Sequence, residues 1–456
     1  MKNKVLFTVC IMFSLMFVCQ NTNAQCGQAG NGTNNGISCM YHDSIHNCLY
    51  VGGGFQYSGN DTMNHCCYWN DITYLPMPMM GNIGCNDSVW CFTYFNGSLY
   101  IGGSFTQAGG IPCNHIARWD GTSWYAVGNG FNAPVHSLCV YNNQLFAGGN
   151  FTMSGSTSVS HLGYWDGSQW MQVDGGTNGN VWSMLVWDGD LYIGGDFTRT
   201  GSVTVNHIFK WDGTTISALA EGMSSWWGAC SVYSMCVYNG NLYCGGIFNN
   251  CGGNGMRNLG MWNGSYWTSI GDIGNGMMSD MVGALCVYND QLFVGGYFSS
   301  CGMGSANNLG TWNGSTWSNI GTGMNGIVRS LAVYNNSLYI AGSFTSATGV
   351  PVNNIAKYSS ITGMQSLTPE TLSLEVYPNP CSGDFISVSW NDLNLSAVTI
   401  TISDVSGRTL SEHYSGTLTA GINNQNISVS DLNNGVYFLT LYSNNTKSAM
   451  KFSITK

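Results

Sequence analysis

Charge is scarce in this chain: Asp, Glu, Lys and Arg make up 7% of 456 residues. Between residues 25 and 363 there are six Lys or Arg against fifteen Asp or Glu, with no basic stripe, and the whole chain carries a formal charge of −10. Phosphate neutralisation needs clustered cations, so nucleic acid is not an expected partner. Glutamate occurs once in that span, at Glu221. Paired carboxylates at an obvious spacing are missing, as is any Ser/His/Asp set readable from local sequence, so no catalytic residue is assigned. No C-x-x-C spacing occurs, which argues against a thiolate-bound metal, and no cofactor is expected. Beyond the first two dozen residues no run approaches the ~20 apolar residues of a membrane-spanning helix.

What the chain has in quantity is glycine, 62 residues, with 16 Trp and 24 Tyr. That composition suits an all-β protein with many tight turns. At the start, Lys2 and Lys4 precede an apolar run at residues 5–18, and Thr22-Asn23-Ala24 offers a small-residue cleavage site. Residues 1–24 therefore read as a cleaved secretory signal, after which no transmembrane segment is expected. A lipid anchor would need a small residue before Cys19 or Cys26, where Val18 and Gln25 stand. Of 18 cysteines, 16 remain in the mature chain, and an oxidising destination permits disulfides.

A repeat dominates the rest. Leu99-Tyr100-Ile101-Gly102-Gly103 is one of seven copies of an aromatic hairpin strand ending in paired glycines. The first glycines are Gly52, Gly102, Gly148, Gly194, Gly245 and Gly295, with Ala341 in the seventh place, at spacings of 46 to 51 residues. Turns at Asn96-Gly97, Asp188-Gly189 and Asn239-Gly240 supply the positive φ of a two-residue hairpin. Third strands end in Trp, Asp-Gly or Asn-Gly turns follow, and a second Trp marks the fourth strand at Trp124, Trp170, Trp267 and Trp317. Four short strands per unit, seven times over, predict a seven-bladed β-propeller across residues 25–362. Residues 32–38 are expected to close the ring by adding a strand to the last blade.

From the first glycine to the third-strand aromatic the distance is always 17, as from Gly102 to Trp119. All length variation thus falls between that aromatic and the next unit. In a propeller these inter-blade loops share a face with the loop between strands two and three, and variable loops on a constant scaffold are where binding concentrates. The double glycine, the aromatic 17 residues on and a Trp five further resemble the kelch-type repeat over residues 37–360. That resemblance implies a propeller with a central channel and leaves the activity open.

After residue 363 the repeat stops, and residues 363–373 read as a linker. Strand-like runs at residues 386–390, 398–403, 427–430, 436–441 and 450–455 predict an immunoglobulin-like sandwich. Val376-Tyr377-Pro378-Asn379-Pro380, Asp404-Val405-Ser406-Gly407-Arg408, Asn434-Gly435-Val436-Tyr437 and a final Met450-Lys451-Phe452-Ser453-Ile454-Thr455-Lys456 occur in order. Together they resemble the type A C-terminal sorting domain of the Bacteroidetes type IX (Por) secretion system, over residues 374–456. The resemblance implies export to the periplasm, then passage to the cell surface or medium by the type IX machinery. Its motif residues here are Tyr377, Pro378, Asn379, Pro380, Gly407, Gly435, Tyr437, Lys451 and Lys456.

His65, His115, His161 and His207 share one repeat position, 13 residues after the first glycine, where Asn258, Asn308 and Asn354 stand in the other units. Third-strand positions one blade apart are too distant for shared metal ligation, so a backbone-bonding role is expected. Asp120, Asp166 and Asp212 read as turn formers. Trp226 and Trp227 sit in the longest insertion, Met277, Met278, Asp280 and Met281 in the next loop, and Met77, Met79 and Met80 in the first. Exposed aromatic and Met-rich loops suit sugar rings or a protein partner. Cys85 with Cys113, and Cys230 with Cys251, are expected on the same face, paired as disulfides. The functional expectation is a secreted or cell-surface noncatalytic propeller that binds glycan or protein through Trp226, Trp227, Met277, Met278, Asp280 and Met281. The alternative is a polysaccharide-active enzyme at the channel mouth, where several charged side chains would converge.

Overall fold

The computed structural model describes residues 25–79, 82–275, 277, 279–302, 304–359, 374–392, 398–404, 408–415, 421–443 and 446–455. The expected leader at 1–24 and the expected linker at 363–373 lie outside the described residues, as do Met80, Met278, Gly407 and Lys456. All regular structure among the described residues is β, with no helix long and apolar enough to cross a membrane. The chain divides into two compact units, residues 1–361 and 362–456.

Seven four-stranded antiparallel sheets make up the first unit. Their first strands, Ile37–Asp43, Val89–Phe95, Val135–Tyr141, Val181–Trp187, Ser231–Tyr238, Met281–Tyr288 and Ile327–Tyr334, stand side by side in chain order, and the last returns to the first. The ring order is therefore closed, which makes the unit propeller-like. Repeated spacing follows from repeated register: Leu99 faces Trp119 and Trp119 faces Trp124, as Leu292 faces Trp312 and Trp312 faces Trp317. The paired indoles lie 5.0 to 5.4 Å apart in four sheets. The second indole also donates to a carbonyl of the preceding sheet, Trp170 to Val127 at 3.2 Å and Trp267 to Leu219 at 3.0 Å.

The two glycines of each hairpin serve different contacts. A Cβ on Gly102 would lie 2.6 Å from the Val135 side chain of the next sheet, whereas on Gly103 it would lie 2.2 Å from the Ser88 carbonyl oxygen. Side chains can shift and backbone cannot, which is why Ala341 replaces the first glycine in the seventh copy while Gly342 keeps the second.

Closure differs from the sequence expectation. The fourth strand of the last sheet is Gln25–Gln28, paired antiparallel with Ile355–Ser359 from Gln25 opposite Ser359 to Gln28 opposite Ala356. Residues 32–38 do not supply it: Gly32 turns at φ +62°, and Ile37 already begins the first sheet. The seam is bolted by Lys357 Nζ to Asp71 Oδ1 at 2.8 Å, the Tyr339 hydroxyl to the same oxygen at 2.5 Å, and the Met40 N–H to Ser330 Oγ at 2.9 Å.

The second unit packs a three-stranded sheet (Leu374–Tyr377, Phe385–Asp392, Gly421–Ser428) and a four-stranded sheet ordered Thr409–Ser415, Val398–Ser403, Gly435–Ser443, Thr446–Ile454. One core joins them, including Ile386, Val388, Ile400, Ile402, Leu439, Leu441 and Phe452. Of the five expected runs, 398–403 is found as it stands, 386–390 and 436–441 lie within longer strands, and those at 427–430 and 450–455 belong to strands that begin earlier and end at Ser428 and Ile454; Leu374–Tyr377 and Thr409–Ser415 are additional.

Candidate functional site

Every first strand of the first unit carries a β-bulge at one position, just after a buried Val or Ile. The ladder slips between Ile37 and Cys39, Val89 and Cys91, Val135 and Ser137, Val181 and Ser183, Val232 and Ser234, Val282 and Ala284, and Val328 and Ser330. The extra residue of a bulge is freed from the ladder and re-aimed. Here the extra residues are Ser38, Trp90, His136, Trp182, Tyr233, Gly283 and Arg329, and all seven line one cavity of about 710 Å³. Bulges repeated round a closed ring thus gather one residue from each sheet at the mouth of the ring, six with side chains and Gly283 without.

Four neighbouring positions form a continuous aromatic arc. The Trp90 and His136 rings stack at 4.2 Å and 15°, His136 and Trp182 lie 4.0 Å apart, and Trp182 and Tyr233 meet edge-on at 5.6 Å. Hydrogen bonds to the residue following the glycine pair fix the arc. His136 Nε2 pairs with the Asn150 side-chain oxygen, and Trp182 Nε1 donates to Asp196 Oδ2 at 3.3 Å. Burial pushes the His136 pKa down to about 4, against a smaller opposing effect of Asn150, so the imidazole is neutral at pH 7. A neutral ring between two indoles, with its Nε2 hydrogen bond turned to Asn150, presents a flat apolar wall. The remaining sector holds Gly283, Arg329 and Ser38, with Asn35, Ser88 and Ser343 beside them. Arg329 is exposed and, among the described residues, is the one charged side chain of the lining.

The loops singled out in the sequence share this face. Bridges between inter-sheet loops and strand-two-to-three hairpins, such as Cys85 with Ala108 and Thr177 with Thr200, put both loop sets together. In five loops an Asn (34, 86, 132, 178 or 325) accepts two backbone N–H groups of the hairpin through its side-chain oxygen. The other two loops, with Ser224 and Gly274 at that position, are those of Trp226 and Met277. Trp226 is 78% exposed and Met277 59%, while Trp227 is half-buried. Asp280 is buried, and its Oδ2 accepts the Met277 N–H at 3.0 Å, so it shapes the loop from beneath. Met281 joins the cavity lining, and Met77 is a buried core residue.

The shared His/Asn position lies in the left-handed region in all seven sheets, at φ 63° to 73°. His65 Nδ1 donates to the Gly53 carbonyl at 3.2 Å, and Asn308 Oδ1 accepts the Phe298 N–H at 3.0 Å. Asn and His are among the residues that tolerate this conformation, which explains their exchange. Asp120, Asp166 and Asp212 each accept two backbone N–H groups of their own turn, and those bonds hold their carboxyls below the usual range. No group of His, Cys, Asp and Glu among the described residues is arranged to hold a metal ion. The cysteines among the described residues are free thiols, so the expected pairs Cys85–Cys113 and Cys230–Cys251 are not formed; Cys85 Sγ instead lies 3.9 Å from Cys66 Sγ.

A second cavity, of about 570 Å³, lies between the first two sheets and is lined by Tyr50, Tyr68, Tyr94 and Trp119. It draws on two neighbouring sheets, whereas the mouth gathers polar and aromatic groups from six of the seven. The mouth was missed in the sequence because its seven residues differ in kind. The signal was that variability: one changing position directly after a constant Val or Ile.

In the second unit, Asn379 fastens the Tyr-Pro-Asn-Pro segment to the last strand. Its Oδ1 accepts the Ser453 N–H at 3.1 Å and its Nδ2 donates to the Lys451 carbonyl at 3.2 Å. Cys381 continues the contact, exchanging 2.8 Å bonds with Ser453 and Thr455. Tyr437 is buried, and its hydroxyl donates to the Asn433 carbonyl at 2.8 Å. Gly435 pairs with Ile454. Tyr377 is 76% exposed, and Asn379, Pro380 and Lys451 are also exposed, with Pro378 intermediate.

Two family models match the chain: "Secretion system C-terminal sorting domain" over residues 375–455, and "Domain of unknown function (DUF5122) beta-propeller" over residues 96–119. No curated protein matches it. Among solved structures it is similar to PorZ, described as an essential bacterial surface component of the type-IX secretion system of Porphyromonas gingivalis, at 16% identity and a TM-score of 0.45. That similarity covers 94% of this chain and 61% of the PorZ chain. The sorting-domain match implies export through the type IX system to the cell surface or extracellular space.

Proposed function

We propose that this chain is a seven-bladed, kelch-like β-propeller that binds glycan at its channel mouth, exported with the help of an immunoglobulin-like sorting domain. The leader at residues 1–24 would take it into the periplasm, and residues 374–456 would engage the type IX machinery. The observation that carries the binding reading is the aromatic arc of Trp90, His136, Trp182 and Tyr233 in an open cavity of about 710 Å³. That size lies within the ordinary range of ligand sites, and flat rings on one wall suit the C–H faces of sugars. Trp226 and Met277, exposed on loops of the same face, extend the surface and favour a second reading, a protein partner. A polysaccharide-active enzyme would need carboxylates at the mouth, and the described lining offers Arg329 as its charged group.

The test is a glycan array and a pull-down with the mature chain, followed by titration of Trp182→Ala and Trp90→Ala. Each truncation is expected to weaken glycan binding by about tenfold or more, the scale of a lost aromatic anchor. A blank array would sink the glycan reading, and a specific protein capture lost in Trp226→Ala would replace it with the second.

A further inference from the structure

We infer that the mouth selects carboxylated saccharides, with Arg329 as the residue that reads the acid; this rests on the glycan reading above. Arg329 is placed by the bulge of the last sheet, and in a ring of seven the position facing it falls between His136 and Trp182. A sugar lying against the aromatic arc therefore turns its outer substituents towards the guanidinium. The neighbours leave that sector open. Gly283 has no side chain, and Ser38, Ser88, Ser343 and Asn35 are short polar groups that can bond hydroxyls.

The electrostatics point the same way. None of the five ion pairs among the described residues includes Arg329. The acids that flank lining residues are already engaged: Asp87 accepts the Ser88 N–H, Asp196 accepts bonds from Asn180 and Trp182, and Asp280 accepts the Met277 N–H. In a chain with a formal charge of −10 and only 12 Lys and Arg, an uncommitted cation inside a concave site is a specific expenditure. A guanidinium presents a planar fork that matches a carboxylate in bidentate fashion, which an ammonium does not. The aromatic arc supplies stacking for any pyranose, so acid selectivity resides in this one side chain.

The experiment titrates the mature chain with hexuronate oligosaccharides of several linkages, each paired with its carboxyl-reduced neutral form. Wild type is expected to bind at least one hexuronate roughly tenfold more tightly than its reduced partner, as a charge-assisted bond implies. Arg329→Gln should erase that preference, bringing the hexuronate and its reduced partner to equal affinity, and Arg329→Lys should restore only part of it. Because Arg329 is exposed and unbonded, its substitution leaves folding intact, checked by an unchanged melting temperature. Equal binding of acidic and reduced sugars would overturn the inference and leave the glycan reading standing. Tighter binding of a sulfated neutral chain than of any hexuronate would also overturn it. Binding of no saccharide at all would overturn both.

Discussion

Between the indoles of Trp90 and Trp182, His136 is kept neutral by burial, and this gives the mouth a pH dependence. The unfolded chain protonates this residue near pH ~6.5, the folded chain only near about 4. Between those values the unfolded state binds more protons. The stability that comes with the neutral ring is therefore full above pH ~6.5 and is lost as pH falls towards 4, a change on the order of 3 kcal/mol. His115 and His207, also depressed by burial, add in the same direction. Denaturant midpoints of wild type measured from pH 7 to 4.5 should fall. A His136→Phe variant, able to fill the same slot without titrating, should fall distinctly less. Parallel curves for the two proteins would show that the ring is not the group responsible.

At the level of elements, strand boundaries and ring order were legible because the positions that build them are the same in each repeat. Gly102 and Gly103, Trp119 and Trp124, and the Asn96-Gly97 turn make contacts that every sheet must make, so the residues recur. The channel mouth was hidden for the opposite reason. Backbone geometry builds each bulge with almost any residue, so Ser38, Trp90 and Arg329 share a place without sharing a type. The closing strand escaped for a third reason: Gln25–Gln28 pairs with residues more than three hundred positions away, and four residues carry too little alternation to be recognised. Its importance can be measured. Deleting residues 25–29 removes the pairing to Ile355–Ser359 and the buried Cys26 and Ala29, at an expected cost on the order of 3–5 kcal/mol. Lys357→Met, which removes the partly exposed pair with Asp71 and the ammonium's contact with the Tyr339 ring, should cost on the order of 1 kcal/mol. Burial raises the Asp71 carboxyl, but Lys357 and Tyr339 outweigh it and hold it below its usual value. This seam thus contributes above the unfolded carboxyl pKa and weakens as pH falls through the folded one. Thermal melts of the two variants in that order would confirm the ranking; a milder effect of the deletion would place closure in the side chains instead.

Taken as a whole molecule, the protein carries its sorting domain in a compact unit of its own, and that unit sets how export can be tested. Gly435–Ser443 is an inner strand of the four-stranded sheet and Thr446–Ile454 its edge, so deleting residues 436–456 removes half of that sheet together with core residues Leu439, Leu441 and Phe452. Such a deletion destroys the domain and cannot separate recognition from folding. Tyr377 can separate them. It is 76% exposed, outside the core, and held in place by the Asn379 clamp two residues further on. Asn379→Ala should lower the stability of the domain by about 1–2 kcal/mol, through the lost bonds to Lys451 and Ser453. Tyr377→Ala should change stability by less than about 0.5 kcal/mol, as an exposed substitution, yet reduce the fraction of protein reaching the medium or cell surface. Lys451→Ala, also exposed, should behave like Tyr377→Ala. Pulse-chase fractionation alongside a thermal melt of each purified variant reads both quantities. If Tyr377→Ala and Lys451→Ala are exported at wild-type levels, the machinery does not touch this edge. The Tyr-Pro-Asn-Pro segment then serves only to tie the first strand of the domain to its last.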